Sequence, residues 1–411
     1  MGRFFSDIVE QALRDIYYDV TTGRGRESFK RLEQASWVGD GDASCILARC
    51  YCGHQYVWSG HEFPEDDDKA VGLMHKAVQQ GSAIGVLLAL RSGELTPQLR
   101  AGMPFSSLKE AFDIVLEKAR QGEPFCQYTI GNTYFWWDFL EIDGKGKESF
   151  PSQEAFRAYL IENIAKCEDW FWKAFRGGMY HAANNLNRYY SQGDEDLIAP
   201  QPEKAKDLWK IGAELGYPVH QYIYAKELQE KGRSAEAFEW HKKAAENGET
   251  DSWYYVGLAY EEGKVTGQDY SRAAQCYERG LKDGIGCHNR LGALCFDGKG
   301  VPKDEERAVK LLTWAYEQGN KWGLVYLGKA YFYGRGVQKD YMRARQLLGD
   351  VTWSNQDASY MLGVMYAQGL GVDQDIRKGI EHLQKAGDLK EARDELAKYK
   401  KNLFGKWIRR K

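Results

Sequence analysis

Four stretches of this 411-residue chain align residue for residue: VGLAYEEGKVTGQDYSRA from Val256, LGALCFDGKGVPKDEERA from Leu291, LGKAYFYGRGVQKDYMRA from Leu327 and LGVMYAQGLGVDQDIRKG from Leu362. The small residue in second place, Gly257, Gly292, Gly328 and Gly363, recurs after 35, 36 and 35 residues. Carried backwards, the register reaches Ala225, Asn187, Gly131, Ala89 and Ala48, at intervals of 32, 38, 56, 42 and 41. A period in this range is the signature of a solenoid, in which each unit buries its apolar face against its neighbours. The length therefore stands for one repeat array, not for several domains.

A second marker runs in phase with the first. Each unit closes on Gly39, Gly81, Gly122, Gly177, Gly216, Gly248, Gly284, Gly319, Asn355 or Gly387. Gly and Asn accept the left-handed position beyond a helix end, so each is predicted to stop a helix. Between the markers the pattern is helical: in RAVKLLTWAYEQ, Val309, Leu312, Trp314, Ala315 and Tyr316 form an apolar stripe. Asp304, Asp340 and Asp375 precede such helices, where a carboxylate can cap free N–H groups. Each unit thus reads as helix A, a glycine turn, helix B and a glycine stop. The small residue lets the two helices approach closely. The aromatic three residues later (Tyr51, Tyr134, Tyr190, Tyr260, Tyr331, Tyr366) fills the space between them. About ten hairpins are expected: a capping hairpin over 1–40, divergent repeats with long loops over 41–217 and regular ones over 218–387. A capping helix from Lys390 to Lys401 and a basic tail complete the chain over 388–411.

Composition agrees with this plan. Gly numbers 44 against 9 Pro, and the turns, helix stops and close-packing positions absorb most of that excess. Aromatics make up 14 %, with 13 Trp and 26 Tyr. A net charge of −3 gives no reason to expect a nucleic-acid partner. The longest apolar run, Ala83 to Leu90, is too short to span a bilayer. Asp7 and Glu10 interrupt what a signal peptide would need, so a cytoplasmic location is expected. Met1-Gly2 with Ser6 matches a loose myristoylation pattern of the kind that arises by chance.

Chemistry-bearing motifs are few. The eight cysteines do not recur in step with the repeat, which favours free buried thiols in a reducing compartment. Cys45, Cys50, Cys52, His54 and His61 form the one metal-like cluster but lack the paired spacing of structural zinc, so no metal is expected. The GxGV loops at Gly298, Gly334 and Gly369 join helix to helix and read as turns, not phosphate cradles. GKGK (Gly144 to Lys147) and EDDD (Glu65 to Asp68) read as solvated loops. No catalytic motif and no cofactor signature is present, and a non-enzymatic role is expected.

The sequence LGxxY, then GxGVxxDxxxA, then AAxxG at this period resembles the Sel-1-like repeat family, a branch of the tetratricopeptide-type solenoids. The likeness is tight over 250–387, fair over 40–81 and 218–248, and degenerate over 83–216. KELQEKGRSAEAFEWHKKAAENG has the shorter turn of an ordinary tetratricopeptide repeat, and the tail KYKKNLFGKWIRRK resembles the ends of bacterial members. The resemblance implies an all-α, right-handed superhelical solenoid whose helices A line a concave face. It also implies a scaffold or adaptor that binds proteins or peptides there, in a bacterial-type cytoplasm. Two other roles stay open: an inhibitory immunity-type regulator that covers a toxin, and a hydrolase or small-ligand binder like the family's cysteine-rich subgroup. The latter would need a Cys pair in each hairpin, which is lacking.

The family's groove positions lie three residues before the small residue and one, four and five after it. Here they are Tyr128, Asn132, Phe135 and Trp136, then Asn184 and Arg188, Tyr222 and Lys226, Tyr254 and Glu261, Phe332 and Tyr333, and Tyr360. Tyr, Trp and Arg dominate binding hot spots. YFWWDF (Tyr134 to Phe139) is the foremost candidate. The tail, with seven positive charges from Lys398 onward, reads as a solvated extension with Leu403, Phe404 and Trp407 folded back; the other reading is peripheral contact with an acidic partner or membrane.

Overall fold

The computed structural model describes residues 4–53, 56–57, 61–194, 196–282, 284–351, 355–403 and 405–410. Met1, Gly2, His54 and Phe404, singled out above, lie outside the described residues. The chain is an all-α solenoid that divides into two compact units, Met1–Lys226 and Glu227–Lys411. Among the described residues no helix is long and apolar enough to cross a membrane.

In the first unit the main helices are Gly25–Trp37, Gly41–Tyr51, Asp67–Gln79, Ala83–Arg91, Leu108–Arg120, Pro124–Phe135, Gln153–Arg176, Ala182–Gln192 and Leu208–Glu214. From Gly41 through Gln192 each packs on the next in sequence. Gly41–Tyr51 also touches Ala83–Arg91, which in turn touches Pro124–Phe135, so these three form one layer. The degenerate stretch is still built of helices packed on their sequence neighbours, but it adds short helices at Pro97–Gly102 and Phe139–Ile142 and lengthens one helix to 24 residues, Gln153–Arg176. A single core runs from Phe5 to Tyr217. Part of it comes from far away in sequence: a π-helical turn, Arg14–Tyr18, buries Tyr17 with its ring 5.3 Å from that of Phe125. The Tyr18 hydroxyl donates to the buried carboxylate of Glu123.

The second unit repeats one hairpin geometry. Its helices include Ser234–Glu246, Ser252–Glu262, Tyr270–Arg279, Ile285–Asp297, Glu305–Glu317, Leu324–Tyr333, Tyr341–Gly349, Gln356–Gln368, Ile376–Lys385 and Lys390–Leu396. The caps predicted at Asp304, Asp340 and Asp375 form, each accepting the N–H three residues on at 2.9 Å. The small residues do bring helices together: a Cβ on Gly257, Gly292 or Gly363 would lie 2.5, 2.7 or 2.7 Å from Tyr277, Leu312 or Leu383 of helix B. In GxGV the first glycine ends helix A in the left-handed region. The second abuts the first turn of the preceding hairpin's helix B: Gly300 on Tyr270, Gly336 on Glu305 and Gly371 on Tyr341.

Three expectations need correction. The stop predicted at Gly177 falls one residue later, at Gly178 (φ 112°), while Gly284 and Asn355 are not stops: both precede the next helix, and the Asn355 side chain caps it. The last helix ends at Leu396, not Lys401, because Tyr399–Lys401 pairs antiparallel with Trp407–Arg409. The tail is therefore a hairpin in which Trp407 packs on the last core cluster and Leu403, at its turn, is fully exposed.

Candidate functional site

The foremost sequence candidate, Trp136, ends the helix Pro124–Phe135, its N–H donating to the Asn132 carbonyl at 2.9 Å. The chain then turns sharply, with Trp137 at φ 69°, a left-handed conformation costing a residue with a side chain ~1–2 kcal/mol. The Trp137 indole N–H donates to Asp194 at 3.0 Å and ties that turn down. Trp136 itself is left 38 % exposed. The guanidinium carbons of Arg91 and Arg188 lie 5.3 and 4.5 Å from its ring centroid, so one indole serves two cations.

Trp136 forms part of the wall of a cavity of about 510 Å³ lined by residues of the helices Gly41–Tyr51, Asp67–Gln79, Ala83–Arg91 and Pro124–Phe135, with Asn185 of Ala182–Gln192. Asn132 and Asn185 share a side-chain hydrogen bond of 2.7 Å in its wall. Arg91 pairs with Asp138. Burial lifts the Asp138 carboxyl to about 6, with Arg91 pulling the other way, and burial lowers Arg91 despite that partner. Arg49 sits deeper, 7 % exposed, its Nε donating to the Tyr17 hydroxyl at 3.2 Å. The rings of Tyr17, Tyr56, Phe125 and Tyr128 lie 5.3–5.8 Å from its guanidinium.

The structure thus brings Tyr128, Asn132 and Trp136 into one cavity, with Arg188 outside its lining but 4.5 Å from the indole centroid. Asn184 is exposed on the helix Ala182–Gln192. Lys226 lies over the Tyr222 ring at 5.5 Å. Phe135 and Phe332 are not groove residues: at 5 % and 6 % exposure they are core, Phe135 against Phe171 and Tyr189, Phe332 against Tyr341. Both stand four residues after a glycine, a position at which the ring turns inward, whereas the carboxylate of Glu261 at the same offset stays half-buried. In the second unit Tyr254 and Tyr360 are half-buried and Tyr333 is exposed. Glu261 accepts from the Tyr277 hydroxyl at 2.6 Å and pairs with Arg290 at 3.3 Å, whose guanidinium covers Trp322 at 4.4 Å.

The residues missed from sequence are Arg49, Arg91 and Asn185 in the first unit and, in the second, Arg290, Tyr326, whose ring stacks on Trp322 at 6.2 Å, and Lys329, whose Nζ lies 5.9 Å from the Tyr326 ring. A signal existed for most of them. Arg49 and Lys329 hold the position one after the small residue, as Asn132, Arg188 and Lys226 do. Asn185, Arg290 and Tyr326 hold the position two before it.

Among the described residues no group of His, Cys, Asp or Glu is arranged to hold a metal. Cys45 and Cys50 are buried free thiols, Cys45 pushed up to about 12 by burial, and Nε2 of His61 lies 3.0 Å from the Ile16 carbonyl.

A family model described as Sel1 repeat matches residues 46–82, 178–217, 222–249, 252–284, 286–320, 323–349 and 356–390. Among curated proteins, two from Arabidopsis thaliana are similar: the ERAD-associated E3 ubiquitin-protein ligase components HRD3A and HRD3B. They are 33 % and 32 % identical over 114 residues. That segment is 26 % of this chain and 17 % and 19 % of theirs, so the chain spans under a fifth of the relatives it matches. Among solved structures, c5321, a protective antigen of uropathogenic Escherichia coli with an SLR fold, aligns over 89 % of both chains at 20 % identity and TM-score 0.44. A Sel1 repeat protein from Oxalobacter formigenes aligns over 49 % of this chain and 81 % of its own at 23 % identity and TM-score 0.36. With seven matched copies over more than half its residues, the chain belongs to the Sel1 repeat family.

Proposed function

We propose that this Sel1 repeat chain is a protein-binding scaffold or adaptor, and that a partner segment docks in the cavity of its first unit. The observation that carries the reading is Trp136, half-exposed on a cavity wall and flanked by two arginines. Aromatic and arginine side chains at the centre of a pocket are what dominates protein recognition. Asn132 and Asn185 add paired donors and acceptors beside it, which suits a peptide backbone. That both plant relatives are named as ligase components supports a role within a protein assembly. The free thiols favour a reducing compartment such as a cytoplasm.

Trp136→Ala is expected to weaken the partner's binding about 30-fold, the effect of losing an anchor worth about 2 kcal/mol. Quantitative affinity capture with wild-type and variant chains checks this. Trp37→Ala, which removes an exposed indole outside the cavity, should leave the recovered set unchanged. Equal loss with both variants, or with neither, would rule the cavity out.

A further inference from the structure

We propose that the first unit's cavity takes a carboxylate of its partner through Arg49, an inference that rests on the docking role just described. Arg49 projects from the helix Gly41–Tyr51 and stays charged at any physiological pH. It has five N–H donors in a fixed plane, and Nε is used by the Tyr17 hydroxyl. Nη2 is buried with no hydrogen-bond partner, and no carboxylate among the described residues pairs with Arg49. Facing it are Tyr17, Tyr128, Cys45, Cys50 and the buried His181, all neutral groups. A buried charge is costly unless it is paired and hydrogen-bonded. The four rings around the guanidinium offset part of that cost through their faces, but a ring face accepts little from N–H groups lying in the guanidinium plane. The pairing left unmade is the one a carboxylate supplies.

The cavity argues for one negative charge, not two. Arg49 and Arg91 line it, but the charge of Arg91 is already balanced by Asp138, even though its Nε is buried without a hydrogen-bond partner, and Asp67 and Glu94 line it as well. A phosphate dianion would meet those two acids. A single carboxylate can reach Arg49 beside the Trp136 ring and the Asn132 and Asn185 amides. It can come from a peptide's C-terminus or from an Asp or Glu side chain, since the two present the same pair of oxygens.

The test uses the full chain and a bead-displayed library of eight-residue peptides synthesised with free C-termini. Binders are remade with the C-terminus amidated, with Asp→Asn or Glu→Gln, and with phosphoserine in place of each acid. One conversion to an amide should weaken binding about tenfold or more, the value of a charge-assisted hydrogen bond; which conversion does so identifies the source. Arg49→Gln should cost the acid peptide the same factor and the amide peptide nothing further, while Arg49→Lys recovers part of it. If Arg49→Gln does not fold, the ligand conversions and Arg49→Lys carry the test. Binders indifferent to every conversion, or improved by phosphoserine, overturn the carboxylate. If those same binders are still lost with Trp136→Ala, the docking role stands; if they survive Trp136→Ala, it falls too.

Discussion

Gly336→Ala is expected to lower the stability of the second unit by about 3 kcal/mol, the sum of two effects. At φ 68° the backbone is left-handed, which costs alanine ~1–2 kcal/mol. The added Cβ would also fall well inside van der Waals contact with the backbone of Glu305 and Glu306. Forced overpacking of this kind costs about 1–3 kcal/mol. Relief by movement is blocked, because Asp304 caps that helix at 2.9 Å and Arg335 pairs with Glu305 at 2.7 Å. Gly319→Ala separates the two effects: its φ is 85° and a Cβ there meets nothing within 4 Å, so only the conformational cost of ~1–2 kcal/mol applies. Urea midpoints, with hydrogen exchange over Leu324–Tyr333 and Glu305–Glu317 to locate the loss, give the comparison. Equal costs at the two glycines would show that the close approach between hairpins does not limit the fold.

Acid should unfold the first unit through two histidines. Burial holds His181 and His220 down at about 3, with the positive charge of Arg49 adding to the effect at His181. Nδ1 of each is buried without a hydrogen-bond partner. In the unfolded chain a histidine takes up its proton near 6.5. Below that pH the unfolded state binds more protons than the folded one, so the stability present above 6.5 is lost as pH falls towards 3. The loss is about 1.4 kcal/mol per pH unit for each histidine, or about 5 kcal/mol for the pair at pH 4.5. Asp138 works in the opposite sense: its carboxyl, raised to about 6, makes the folded state gain stability on acidification below that pH. The clean measurement is therefore a difference at matched pH between wild type and His220→Phe. The phenyl ring replaces an imidazole that packs among Phe175, Tyr180, Trp209 and Tyr217. Relative to wild type, the variant should gain about 1.4 kcal/mol per pH unit below about 6. A pH-independent gap would mean that the folded protein protonates His220 freely.

Much of the candidate site was legible because its register is that of the repeat. Trp136, Asn132 and Arg188 were found from their distance to a small residue, and Arg49 and Lys329 stand at one of the same offsets. Phe135 and Phe332 share that register yet are buried. An offset fixes the angle around one helix, while exposure depends on how far the next helix leans over it. Arg91 was hidden for another reason: it sits on a short helix, Ala83–Arg91, whose apolar residues leave no polar face to read.

The repeat period and its glycine and aspartate punctuation determined, by themselves, that this chain is an all-α array of hairpins. Both are local: a left-handed glycine, a capped first turn and a small residue between helices act within one unit and its neighbour. The tertiary structure alone decided what is not local. It brought Tyr17 and Tyr18 from the N-terminal turn onto Phe125 and Glu123, turned the expected end of the last helix into a β-hairpin, and closed four aromatic rings around Arg49. The contacts of Tyr17 and Tyr18 with Phe125 and Glu123, and of Arg49 with Tyr17, Phe125 and Tyr128, join residues too far apart in sequence for any short-range pattern to record, because burial rewards area removed from water whatever part of the chain supplies it. The hairpin is local in sequence, but it is held by Trp407 packing on the last core cluster.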